Sequence, residues 1–119
     1  MQTLAVVAIA GQLAIASPED VPCQVVTDAD SKFEYCLLQH VSTDLPYTTM
    51  LVDVKRRREG QTARSRYFVV RNCTTEGLAI SVVKDDGQVD INSTVVLDAA
   101  RPNPYNRAIK AISDYTCAR

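Results

Sequence analysis

Two β-prone runs decide the fold: Thr48-Thr-Met-Leu-Val-Asp-Val54 and Tyr67-Phe-Val-Val-Arg-Asn-Cys73, separated by a basic segment at 55–66. In the first run Met50 and Val52 belong to an alternating pattern, and the second is rich in aromatic and β-branched residues. Both features are typical of strands. We therefore predict an antiparallel hairpin whose connecting loop is the basic segment.

Further strands are predicted downstream, at Leu78–Val83 and at Val89–Leu97. The sequence Asp85-Asp86-Gly87 between them is typical of a tight turn. A helix beginning at Thr75 is the competing interpretation of residues 76–83.

Two helices are expected to accompany the sheet. Asn103 is a favourable N-cap, Pro104 suits the first helical position, and apolar residues at helical spacing predict a helix over 104–116. Ser31-Lys-Phe-Glu34 has the form of a capping box and predicts a second helix over 31–42, which Leu45-Pro46 terminates. With a short extended piece at 24–27, the expected fold is a disulfide-stabilised α+β sandwich, in which helices cover one face of a sheet of four or five antiparallel strands.

The first sixteen residues resemble a secretory leader. An apolar run ends in Ala14-Ile15-Ala16, whose small residues fit signal peptidase, although the segment before it lacks Lys or Arg. The run is shorter than the roughly 20 residues of a membrane span. We therefore expect a signal peptide at 1–16, one secreted domain at 17–119, and no membrane span.

In a secreted protein the four cysteines are expected to form two disulfides, because small secreted domains commonly rely on them. The cysteines are Cys23, Cys36, Cys73 and Cys117. Their wide spacing does not match zinc-site patterns. Four cysteines allow three pairings, and the sequence does not choose among them. Our working expectation joins Cys23 to Cys117, since chain termini often lie close together, and Cys36 to Cys73.

Charge composition excludes some function classes. The chain has 13 Lys plus Arg and 14 Asp plus Glu, with a net charge of −1, which fits neither a strongly basic nucleic-acid binder nor an acidic disordered tail. The cations are nevertheless clustered, and six of them form a candidate partner-binding surface: Lys55, Arg56, Arg57, Arg58, Arg64 and Arg66. The alternative is a solvated hairpin loop whose charges discourage edge pairing.

No residue set predicts an active site, a metal site or a cofactor. His40 is the single histidine, and we interpret it as a solvated side chain on the first helix. The carboxylates at Asp85, Asp86 and Asp90 lack the calcium-loop pattern and suit a turn.

Two sequons make Asn92 and Asn72 candidate glycosylation sites. Asn92 is the more usable one, because modification at Asn72 would compete with oxidation of Cys73.

The layout of a leader, a domain of about 100 residues and cysteines at 23, 36, 73 and 117 resembles the small effectors that plant-pathogenic fungi secrete. More narrowly, it resembles the group of secreted-in-xylem protein five and the blackleg avirulence protein Lm-ten-A. The likeness spans nearly the whole chain, including Tyr35-Cys36, Leu51-Val52 and Tyr67-Phe-Val-Val70.

That resemblance implies a non-enzymatic virulence or avirulence protein with a small α+β sandwich fold, similar in outline to a killer-toxin subunit. It implies contact with a second secreted effector and recognition by a host resistance protein, in the host apoplast or xylem or after host-cell entry. It supplies no catalytic residues. The competing functions are a killer-type or membrane-active toxin and a small secreted hydrolase or ribonuclease.

Overall fold

The computed structural model describes residues 23–99, 101 and 103–118, so the expected leader at 1–16 lies outside the described residues. The described part contains six strands and one helix. Their bounds are β1 Cys23–Asp28, β2 Ser31–Asp44, β3 Tyr47–Arg58, β4 Gln61–Asn72, β5 Gly77–Val83, β6 Val89–Asp98 and α1 Pro104–Cys117. Within these ranges no helix is long and apolar enough to cross a membrane.

All six strands form one antiparallel sheet in which each strand pairs with its neighbours in sequence, in the order β1-β2-β3-β4-β5-β6. The α+β class is confirmed in outline. The expectation of four or five strands with two helices is wrong, because only α1 is helical in the described part.

The segment predicted as a helix at 31–42 is strand β2. Ser31 pairs with Asp28 across a tight turn, in which Ala29 has a φ of 52°. β2 then pairs with β1 on one side and β3 on the other. Hydrogen bonding on both sides outweighs a capping-box pattern whose energy is local. Leu45 and Pro46 do end the element, as predicted.

The other strand predictions are confirmed. Residues 48–54 and 67–73 belong largely to β3 and β4, which pair as the expected hairpin. Residues 78–83 lie in β5, so the helical alternative for 76–83 is wrong. Asp85-Asp86-Gly87 turns the chain between β5 and β6, and Gly87 has a φ of 87°.

Helix α1 begins as the sequence predicts. The Asn103 side chain accepts hydrogen bonds from the Tyr105 and Asn106 backbone N–H groups. The Tyr105 hydroxyl donates to Asp28 Oδ2 at 2.6 Å, and this hydrogen bond raises the pKa of Tyr105. α1 is thereby anchored to the turn between β1 and β2.

One face of the sheet, which we call the helix face, packs against α1. Residues that are opposite each other in the register share a face, whereas successive residues along a strand lie on opposite faces. The buried core joins residues of the helix face to α1 and the segment before it: Val26, Tyr35, Met50, Val52, Val54, Val69, Leu78, Ala99, Ala108, Ile109 and Ile112. Burial raises the pKa of Tyr35 to about 12, and the neighbouring Tyr67 and Tyr105 add to the shift, so Tyr35 is uncharged at neutral pH.

The disulfides are Cys23–Cys36 and Cys73–Cys117, so the pairing we expected is wrong. Cys23 and Cys36 are directly opposite in the β1–β2 register. Cys36 also pairs with Asp53, which alternates with the buried Val52 and Val54, so both cysteines lie on the sheet face away from α1. Cys117 ends α1 on the other side of the sheet and bonds instead to Cys73, just after β4.

Candidate functional site

The basic segment is strand and not a loop. β3 continues to Arg58 and β4 begins at Gln61, so only Glu59 and Gly60 form the turn. Their φ angles are 52° and 78°, and positive values at both central residues characterise the type I′ turn, which suits the twist of a hairpin. The expected loop at 55–66 is therefore corrected, and the strand register fixes where its cations lie.

The register divides the predicted cations between the two faces of the sheet. Arg56 is opposite Phe33 and Arg58 is opposite Ser31, which places both on the helix face, beyond the buried core. Lys55 and Arg57 alternate with them and lie on the other face, which we call the open face. The sequence prediction treated these neighbours as one surface, whereas the structure does not bring them together.

Five cations lie together on the open face, and we call them the basic patch: Lys32, Lys55, Arg57, Arg64 and Arg66. Lys32 is opposite Arg57, and Lys55 is opposite Arg64. Sequence reasoning missed Lys32, because the predicted helix at 31–42 separated it from the hairpin.

Two carboxylates lie among these cations. Lys55 Nζ is 3.8 Å from Glu34 Oε1, and Arg64 Nη1 is 3.9 Å from Asp53 Oδ2. Such long, solvent-accessible ion pairs contribute little energy and are readily exchanged for contacts to a partner. Within the described part of the chain, Arg57 has no ion-pair partner, and the patch keeps an excess of positive charge.

An apolar band continues the open face beyond the basic patch. It consists of Tyr47, Leu51, Phe68, Val70 and Val96, which share this face in the strand register. Leu51, Phe68 and Val70 are half-buried, whereas Val96 is 78% exposed. Because α1 packs on the opposite face, no described element covers this band. A continuous surface therefore carries cations at one end and apolar side chains at the other.

The other predicted polar residues have local roles. His40 is a half-buried residue of β2, and its Nε2 lies 2.7 Å from Thr43 Oγ1 and 3.2 Å from Thr48 Oγ1, so its interpretation as a solvated helix residue is wrong. In the β5–β6 turn, Asp86 Oδ1 accepts a hydrogen bond from the Gln88 backbone N–H. Asp90 Oδ1 accepts one from the Asn92 backbone N–H.

A groove of about 570 Å³ lies beside the basic patch, where β4 extends beyond the end of β5. Arg64 and Arg66 line one side, and the β5–β6 turn lines the other. Near the other end of the patch, Glu34 approaches the sulfur atoms of Cys23 and Cys36. Those sulfurs are bonded to each other and are not available as thiolate ligands for a metal.

The two sequons differ in their surroundings. Asn72 is half-buried, and its Oδ1 accepts hydrogen bonds from the Thr74 and Thr75 backbone N–H groups, which fixes the turn after β4. Asn92 is exposed on β6.

Comparison with known proteins finds no matching family model, no matching curated protein and no matching solved structure.

Proposed function

We propose that the protein is a secreted effector that acts by protein–protein contact, and that the basic patch and the apolar band form its binding surface. The observation that carries this proposal is the arrangement of the open face, where the basic patch and the apolar band are neighbours along strands β3 and β4. The apolar leader-like segment and the two disulfides support passage through the secretory pathway.

The two surfaces have complementary roles in binding. Buried apolar groups supply most of the affinity of an interface, whereas charges mainly steer the encounter and set the orientation. Leu51 and Arg57 lie six residues apart on β3, a distance of about 20 Å at the usual rise of a strand. That length suits a contact with one folded partner.

The partner should therefore present an apolar centre with acidic residues at one side. The resemblance to fungal effectors suggests two classes of such partner, a second secreted effector and a host protein that recognises the pair. In both cases the basic patch would replace its weak contacts with Glu34 and Asp53 by contacts to the partner's carboxylates.

The competing functions have less support from the described residues. A membrane-active toxin needs an accessible apolar helix surface, whereas Ile109 and Ile112 of α1 are packed against the sheet. A ribonuclease needs a base close to phosphate-binding cations. His40 is opposite Met50, five residues and about 17 Å along β3 from Lys55.

The experiment is affinity capture from infected plant tissue with three forms of the tagged protein. One form is unchanged, one carries Arg57→Glu and Arg66→Glu on the open face, and the matched control carries Arg56→Glu and Arg58→Glu on the helix face. Both variants change net charge equally and alter the same hairpin. We expect a partner that is retained by the unchanged form and the control and is lost from the open-face variant, with weaker capture at high salt.

Equal retention by the two variants would contradict the proposed surface. Binding of all three forms to anionic vesicles, without any protein partner, would favour the membrane-active alternative.

A further inference from the structure

The outer edge of the sheet at β6 combines exposed apolar side chains with a lack of charge. Residues 91–97 carry no charge, and Ile91 and Val95 are 79% and 52% exposed. β6 is the last strand of the sheet, and no described element pairs with its outer side. An exposed apolar edge of this kind is a template for pairing with other chains.

Asn92 lies in an irregular part of this edge. Ile80 is opposite Val95 and Val82 is opposite Asp90, so residues 91–94 form an excursion opposite the single residue Ser81. The excursion is fixed by its own side chains. Ser93 Oγ donates to the Asp90 carbonyl at 2.6 Å and accepts from the Val82 N–H at 2.8 Å.

The Asn92 side chain is the one part of the sequon that these bonds leave unused. The Thr94 hydroxyl donates to the Ile91 carbonyl at 2.8 Å, whereas the side-chain amide of Asn92 has no hydrogen-bond partner among the described residues, and Asn92 is exposed. Asn72 differs, because its side-chain oxygen is committed to two backbone N–H groups.

We propose that Asn92 carries an N-linked glycan that covers the β6 edge and keeps the protein from self-association. This inference rests on the secretory passage in the proposed function. The amide nitrogen of Asn92 would form a bond to the anomeric carbon of a lipid-linked oligosaccharide. The bond from that carbon to the lipid pyrophosphate breaks, the pyrophosphate leaves with the electron pair, and the amide nitrogen loses one proton.

A glycan at Asn92 protects an edge that has no charged residue over 91–97. Edge strands are commonly protected by charged residues, and none lies between Ile91 and Leu97. A bulky, hydrated sugar on the excursion prevents another strand from approaching the outer edge at Ile91. The open face is then left as the accessible binding surface.

The test uses the full chain in a yeast secretory host, once with its own N terminus and once behind a host leader. We expect one glycan, seen as a mass loss after peptide-N-glycosidase treatment, on the unchanged protein and on Asn72→Gln, and no such loss on Asn92→Gln. The host-leader arm separates two failures: lack of export with the native N terminus counts against secretion, whereas an unmodified Asn92 behind the host leader overturns the glycan inference.

The protective role is measured by sedimentation of the glycosylated protein and of Asn92→Gln, since peptide-N-glycosidase would convert Asn92 to Asp and place a charge on the edge. The glycosylated form should remain monomeric, and Asn92→Gln should self-associate at the same concentration. Adding Ile91→Lys to Asn92→Gln should restore the monomer, because a charge then protects the edge. An Asn92→Gln protein that stays monomeric would overturn the protective role.

Discussion

At the scale of single residues, Arg71 is a buried charge that connects the sheet to the helix. It is 3% exposed on the helix face of β4, and its Nη1 donates to Ser113 Oγ at 2.6 Å and to Asp114 Oδ1 at 2.9 Å. Its Nε donates to the Asn72 carbonyl at 3.2 Å. A buried guanidinium is tolerated only when its donors are bonded and its charge is paired. Arg71 therefore joins the sheet to the last turns of α1.

Removing the carboxylate of Asp114 should destabilise the fold more than removing the partly exposed Lys110 beside it. In Asp114→Ala the buried Arg71 loses its charge partner, and we expect the free energy of unfolding to fall by about 2 kcal/mol. The matched control is Lys110→Ala, which removes the other ion pair of Asp114, at 2.8 Å on the surface, and should cost no more than about 0.5 kcal/mol. Urea unfolding measures both, and equal losses would contradict this role of Arg71.

Because of the Asp114 carboxylate, we expect the free energy of unfolding to fall in acid. Burial alone would raise the pKa of Asp114, but hydrogen bonds and charge from Lys110 and Arg71 outweigh it and lower the pKa below its ordinary value of 3.8. The folded chain thus binds this proton less readily than the unfolded chain, so the stabilisation is present above pH 3.8 and is lost as the pH falls through the folded-state pKa. Stability measured between about pH 2 and pH 5 should decline less steeply in Asp114→Asn. An unchanged slope would contradict this assignment.

At the scale of elements, the β3–β4 hairpin depends on its two-residue turn. Gly60 has a φ of 78°, a conformation that costs an L-residue about 1–2 kcal/mol. Gly60→Ala should therefore destabilise the protein by about that amount. Gly77→Ala is the matched control, because Gly77 has no positive φ and an added methyl group would meet Thr75 Oγ1 at an ordinary 3.6 Å. Thermal unfolding that ranks the two variants in the opposite order would contradict the turn geometry.

Helix α1 and strand β2 differ in how well the sequence predicts them. Helix α1 was predictable because Asn103, Pro104 and the apolar spacing all act locally. In β2 the register shifts between Leu37 and Gln39 and between His40 and Ser42, which disrupts the alternation that identifies a strand. The remaining apolar positions then coincide with helical spacing, and the hydrogen bonds to β1 and β3 that decide the matter are non-local.

The candidate site was predictable in composition and not in arrangement. The six cations are visible as a cluster in the sequence, but a run without apolar alternation gives no signal for a strand. The Glu59-Gly60 turn was the one local clue, since a glycine at the second position suits a two-residue hairpin turn. If that turn is not recognised, residues 55–58 are taken as a loop, and the placement of Arg56 and Arg57 on opposite faces cannot be inferred.

At the scale of the whole molecule, the described residues form a six-stranded sheet with one helix on one of its faces. The two disulfides reinforce different parts of this arrangement. Cys23–Cys36 holds the edge strand β1 to β2, and Cys73–Cys117 holds the end of α1 to the end of β4. Such cross-links supplement the modest core of a domain this small. On the open face, the register of β3 and β4 places the basic patch next to the apolar band.

The central claim is that a partner binds the open face and leaves the helix face undisturbed. Methyl NMR of the labelled protein, titrated with the captured partner, tests this directly, because adjacent residues of β3 and β4 report on opposite faces. Leu51 and Val70 lie on the open face, whereas Val52 and Val69 lie beneath α1. We predict that the Leu51 and Val70 methyl signals shift on binding while those of Val52 and Val69 do not. Shifts at Val52 and Val69 without shifts at Leu51 and Val70 would contradict the claim.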